Sequence, residues 1–134
     1  MLNQGCLRDV DTARVEELVV WQLGNQIRIK VHALTATGPA ACDLRFCNQM
    51  RDAASSVTRN IAEGFGRYRH REFAQFLSIA RGSLFELEDH LRDGVARNYW
   101  DAEATKELRD LCHRTIAATT YFIRYLKSTT IGHK

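Results

Sequence analysis

Proline occurs once in the 134 residues, as Pro39, and glycine only eight times. So few breakers leave room for long helices, whereas an all-β chain needs far more turn punctuation. Cysteine occurs as Cys6, Cys42, Cys47 and Cys112, with no C-x-x-C pair. No apolar leader opens the chain, because Met1 to Asp11 is mixed and polar. A cytoplasmic protein is therefore expected, with reduced thiols that act as small apolar fillers. No uncharged apolar run reaches the ~20 residues that span a bilayer, so no membrane association is expected.

Catalytic and metal-binding patterns are missing as well. A di-iron bundle needs Glu-x-x-His on two helices. Here Leu87 precedes His90 by three, Arg67 precedes His70 and Ile29 precedes His32. Asp110-Leu111-Cys112-His113 comes nearest, with aspartate and only once. The cysteines and histidines lack zinc-ligand spacing. Cys112 and His113 are adjacent, so on a helix they point about 100° apart and do not form a nucleophile–base pair. Gly64-Phe65-Gly66 has no following lysine-serine or lysine-threonine pair and no preceding strand, which makes it a helix stop and not a phosphate loop. The expectation is a protein that is not an enzyme, with no cofactor and no metal.

What the chain does contain is helical periodicity. Val15, Val19, Leu23, Ile27, Val31 and Leu34 recur at steps of four and three, with Leu18 and Trp21 widening the stripe. This predicts a first helix over about 12–36, capped by Asp11 or Thr12 and stopped by Gly38-Pro39. Cys47, Met50, Ala54, Val57 and Ile61 predict a second helix over 43–64, with Asp43 as cap and Gly64 and Gly66 as a left-handed stop. Phe73, Leu77, Ala80, Leu84, Leu87 and Leu91, flanked by Phe76 and Ile79, predict a third over 70–97. The break falls at Asn98 to Asp101, or sooner at Gly94. Leu108, Leu111, Cys112, Thr115, Ile116, Ala118, Phe122, Ile123 and Leu126 predict a fourth over 101–127. Ala117, Tyr121 and Tyr125 broaden its apolar surface. Short connections make sequence neighbours antiparallel, so residues 1–134 are expected to form one all-α domain, an antiparallel up-and-down four-helix bundle.

Charge is segregated along the chain. Net charge is +3, and fifteen of the nineteen basic residues are arginine. Arg45, Arg51, Arg59, Arg67, Arg69 and Arg71 face only Asp52 and Glu63 between positions 45 and 71. Between Glu86 and Glu107 seven acids outnumber Arg92, Arg97 and Lys106. Guanidinium groups suit phosphate or carboxylate, so the arginine-rich segment, with Tyr68 and His70 interleaved, is the candidate nucleic-acid surface.

Two blocks carry a resemblance: Asn60-Ile61-Ala62-Glu63-Gly64-Phe65-Gly66-Arg67, and Phe73 to Leu91 with Ile79-Ala80-Arg81-Gly82-Ser83-Leu84 and Glu86-Leu87-Glu88. With Trp21, Pro39, Gln49, Ala53, Ala54, Ser56 and Glu72 in order, the chain resembles the four helix bundle protein family, also called the 23S rRNA intervening-sequence protein family. Val57 stands where isoleucine is usual. The match is close over the first three helices and extends over the fourth in hydrophobic pattern alone. The resemblance implies an antiparallel four-helix bundle assembling as a homopentamer. It also implies a more distant similarity to the accessory variability protein of diversity-generating retroelements, which engages a reverse transcriptase and nucleic acid.

Read from the residues, Asn60 and Glu63 lie three apart and are expected to hold the turn that follows. Gly82 and Ser83 sit inside a strong helix, where glycine costs about 1 kcal/mol against alanine, so a helix of the same or another subunit is expected to pack against them. Two functions follow as expectations. The first is an oligomeric, RNA- or DNA-binding or ribonucleoprotein-associated bundle, in which a ring would repeat weak phosphate contacts. The second is a protein-interaction scaffold, for instance an accessory subunit of a reverse transcriptase.

Overall fold

The computed structural model describes residues 14–129. A 3-10 turn at Val15–Glu17 leads into α1 (Val19–Thr35), followed by α2 (Leu44–Phe65), α3 (His70–Ala96) and α4 (Lys106–Ser128). No strand occurs among the described residues. Contacts fix the directions. Thr35 meets Arg51, while Gly24 lies against Val57 and Ile61, so α1 and α2 are antiparallel. Ser83 meets Ser56 while Phe73 and Phe76 lie beside Gly64, which reverses α3 against α2. Arg81 reaches Thr120 and Glu88 reaches His113, which reverses α4 against α3. With α4 closing on α1, the molecule is an antiparallel four-helix bundle in which α1 and α3 are diagonal. Sequence periodicity anticipates this arrangement.

The expected caps Asp11 and Thr12 lie outside the described residues. α1 begins at Val19 after Leu18, which offers no side-chain cap. At its far end Thr35 Oγ1 donates to Val31 O at 2.8 Å. Arg51 on α2 donates from Nε to Thr35 Oγ1 (2.8 Å) and from Nη2 to Thr35 O (3.3 Å), covering one of the carbonyls that α1 cannot satisfy itself. Gly38, at φ 75°, then swings the chain into a 3-10 turn at Pro39–Cys42. Asp43 caps α2 as anticipated, its Oδ1 accepting from Phe46 N at 3.1 Å.

The two expected glycine stops behave otherwise. Gly64 lies within α2, and Gly66 closes it at φ −73°, so neither supplies left-handed backbone. Gly64 is needed for contact instead: a Cβ there would come within 2.7 Å of Phe76 Cβ and 2.8 Å of Phe73 Cδ1. Gly94 likewise does not end α3. Its missing side chain makes room for the Trp100 indole. The helix stops at Asn98, the non-glycine residue with positive φ (63°) among those described. Tyr99 N donates to Gly94 O (2.9 Å) and Asn98 N to Val95 O (3.0 Å), the paired bonds of a Schellman stop.

The core follows the α2 and α3 stripes residue for residue, from Cys47 to Ile61 and from Phe73 to Leu91. In α1 the buried line is Val20, Gly24, Ile27, Val31 and Thr35, whereas Val15, Val19, Leu23 and Leu34 are only partly covered. Gly24 sets this rotation, because a Cβ there would sit 3.0 Å from Val57 Cγ1. Ile79, expected to widen the α3 seam, is 52% exposed. In α4, Thr115 and Thr119 are buried among apolar groups, and each hydroxyl donates at 2.7 Å to the carbonyl four residues back. Satisfied this way, a buried hydroxyl costs little.

Candidate nucleic-acid interface

Asn60 and Glu63 do not share the task expected of them. Asn60 Nδ2 turns back along α2 to Ser56 O (2.8 Å) and Ser56 Oγ (2.9 Å). Ser83 Oγ donates to the same Ser56 Oγ at 2.8 Å from α3. These three side chains form a polar tie between α2 and α3. Glu63 instead receives Arg67 Nη2 at 2.9 Å on the surface. Ser83 thus faces inward, while its neighbour Gly82 is exposed and has open space where a Cβ would stand. No helix among the described residues packs on Gly82. It lies on the outer face of α3 with exposed Ile79 and Phe85 on either side.

The six candidate arginines are spread along the bundle. Arg45 and Arg67, 22 positions apart near the two ends of α2, are ~33 Å apart along the axis. Arg51 is committed to the end of α1. Arg59 lies mid-helix, 3.9 Å from Asp52, and both are exposed. Arg67 is held by Glu63, with its guanidinium 5.0 Å from the Phe76 ring centroid. The side chains of Arg69 and Arg71, on either side of the start of α3, are exposed and make no hydrogen bond or ion pair among the described residues.

Antiparallel packing brings the end of α4 to the same place. Arg124 and Lys127 are exposed there, also without a hydrogen bond or ion pair among the described residues. Elsewhere only Arg45 and Arg114 share that condition. The uncommitted cations therefore gather where α2 ends, α3 begins and α4 ends, around exposed Tyr68. Arg69, the residue capping α3, offers its helix no side-chain bond, so the positive end of a 27-residue helix adds to the field. Among the described residues, the acids nearest this end are Glu63, already paired, Glu72 in the first turn of α3, and Glu16 and Glu17 ahead of α1. Sequence reasoning missed Arg124 and Lys127, because they sit in an unremarkable apolar-and-basic stretch 55 residues or more from Arg69.

The other end of the bundle carries acids and closes on itself. Asp43 accepts from the Tyr99 hydroxyl and from Arg97 Nη1 at 3.3 Å, besides Phe46 N. The Tyr99 hydroxyl, then the Phe46 amide, then the charges of Arg97 and Arg45, hold the Asp43 carboxyl below the usual aspartate range. Arg97 also reaches Asp93 at 3.0 Å and lies 5.4 Å from the Phe46 ring centroid. Phe46, Tyr99 and Trp100 pack with centroids 5.2–6.3 Å apart. Asp101 accepts from Ala104 N at 2.8 Å ahead of α4.

The thiols are unlike one another. Cys42 is exposed. Cys47 donates to Ala40 O at 3.0 Å, and burial raises its pKa. Burial, with the Glu88 charge adding to it, pushes Cys112 up to about 12. Cys6 lies outside the described residues. Next to Cys112, His113 Nε2 lies 2.6 Å from the carboxylate of buried Glu88, so it faces an acid and not the thiol. No group of three or more His, Cys, Asp or Glu among the described residues is placed to hold a metal ion. No helix among them is long and apolar enough to cross a membrane.

Compared with known families, residues 16–120 match the model described as 23S rRNA-intervening sequence protein. No curated protein matches the chain.

Proposed function

The chain belongs to the 23S rRNA-intervening sequence protein family, and from that premise we propose that it is a cytoplasmic, non-enzymatic, self-associating bundle that binds nucleic acid, structured RNA first, through its basic end. The observation that carries this reading is the gathering of Arg69, Arg71, Arg124 and Lys127 at one end, uncommitted to any described partner. Cations spent on internal pairs, such as Arg51 and Arg97, have little left for a phosphate. Uncommitted ones release counterions from a polyanion at full value.

Self-association uses the outer face of α3. Ile79 and Phe85 are each about half exposed, and Gly82 between them lets a second backbone approach closely. Assembly repeats the basic end in each copy, so contacts that are weak singly add through multivalency. A pentamer has a mass near five times 15.3 kDa. Light scattering of the wild type and of Phe85→Glu tests this: the variant is expected to fall back to the subunit mass, and a wild-type monomer would remove the assembly.

For the basic end, the test is fluorescence anisotropy with structured RNA from about 50 to 200 mM salt. Affinity is expected to fall steeply with salt. The triple variant Arg69→Ala, Arg71→Ala, Lys127→Ala should lower the log–log salt slope by about one for each cation removed. Arg114→Ala, mid-way along α4, should leave it unchanged. Absence of binding at the lowest salt would end the nucleic-acid reading.

A further inference from the structure

Beside the uncommitted cations a cavity of about 610 Å3 opens between the first turns of α3 and the last turn of α4. Arg71, Gln75, Leu126, Lys127 and Thr129 line it. Its size falls in the roughly 300–1,000 Å3 range of small-molecule sites. We propose, resting on the nucleic-acid reading above, that this cavity receives a single unpaired nucleotide, so that the protein selects looped or single-stranded segments over duplex.

Each wall asks for a different part of such a ligand. Arg71 from α3 and Lys127 from α4 are like charges facing one cavity with no described anion between them. A phosphate placed there relieves their repulsion and takes charge-assisted hydrogen bonds from both. Leu126 is buried beneath the cavity, so the apolar surface open to the face of a base is that of the Arg71 and Lys127 stems. Gln75 stands four residues beyond Arg71, hence on the same side of α3, and its amide both donates and accepts, as a base edge requires. Thr129 is already engaged: its hydroxyl donates to Leu126 O at 2.9 Å and lies 2.6 Å from His70 Nδ1. It therefore shapes the wall and does not read the ligand.

A purely anionic ligand such as free phosphate would use the two charges and leave the aliphatic stems and Gln75 idle. An apolar ligand would leave the cations uncompensated. A base inside a duplex is stacked on both faces and paired along its edge, so it cannot enter without being extruded. An unpaired base enters at no such cost.

The test is competition anisotropy at one salt concentration with two RNAs of equal length, a hairpin with an unpaired loop and a fully paired duplex. Wild type is expected to prefer the loop by about tenfold, because a duplex must first unstack and unpair a base. Gln75→Trp fills the cavity from an exposed position, so the fold should survive, which circular dichroism checks. In that variant the loop-to-duplex ratio is expected to fall to about one. Equal wild-type affinity for loop and duplex would overturn the nucleotide pocket while leaving salt-dependent binding intact. Retention of the full loop preference in Gln75→Trp would overturn it as well. Failure of wild type to bind either RNA at low salt would bring down the underlying reading too.

Discussion

Where α1 stops and α2 starts, three of the four helix ends are closed by a side chain or a Schellman stop; where α2 stops and α3 starts, the two helices that begin have no side-chain cap and cations gather. At the first, Arg51 covers the last carbonyl of α1, Asp43 caps α2, a Schellman stop closes α3 and Asp101 serves the approach to α4. Arg97 is spent on Asp43 and Asp93, and three aromatic rings seal the corner. At the second, Arg69, Arg71, Arg124 and Lys127 remain uncommitted, and neither α1 nor α3 has a side-chain N-cap. The difference teaches how one small bundle divides its labour. Charge is neutralised internally at the first end and left open at the second.

The strongest way to break that contrast is Gly94→Ala. The added methyl overlaps the Trp100 indole, so the ring must leave its seat and loosen the aromatic corner. Overpacking of this kind costs about 1–3 kcal/mol, with the upper half expected here. Urea denaturation followed by tryptophan fluorescence reads both the lost stability and the exposed ring. An unchanged midpoint would mean the closed end is not where the fold is secured.

Acid should probe the same end next. The Asp43 pKa is depressed in the folded state, so its contribution is present above the ordinary aspartate value near 4 and is lost as pH falls through the lower folded one. Asp43→Asn still caps α2 but cannot carry the charge. The stability gap between wild type and variant is expected at neutral pH and should close below about pH 4. A gap that persists to pH 2 would place the stabilisation elsewhere.

Thiol labelling sharpens the contrast on a smaller scale. Cys42 and Cys47 lie five positions apart at the closed end, yet one is exposed and the other buried and bonded to Ala40 O. A Cys6→Ala protein at pH 8, mapped by mass spectrometry, should label promptly at Cys42. Cys47 and Cys112 should label only as fast as the molecule opens. Prompt labelling at Cys47 would show that the corner breathes.

The smallest effect belongs to Gly66→Ala at the basic end. Gly66 has an ordinary φ of −73°, and its nearest described neighbour to a new Cβ is Glu63 O at 3.5 Å. Stability should stay within about 0.5 kcal/mol, and a larger loss would reveal strain at the end of α2.

Helix number, order and most boundaries were legible from the residues, because they rest on interactions three and four positions apart. The 4-3-4 seam of α3, the Asp43 cap and the stop near Asn98 are all of that kind. The site was legible only in part. Arg69 and Arg71 belong to the arginine-rich segment, but so does Arg51, and only its bonds to Thr35 across the helices set it apart. Gly64, Gly82 and Gly94 look alike in sequence, yet one seats two phenylalanines, one faces open space and one seats Trp100.

The sequence by itself determined an all-α chain with four amphipathic segments and short turns, since apolar periodicity and breakers act locally along the chain. Tertiary structure alone decided which end would be charged, because that depends on antiparallel packing carrying Arg124 and Lys127 back beside Arg69 and Arg71. It also decided which arginines are spent, since pairing depends on distances across helices, which no spacing along the chain records.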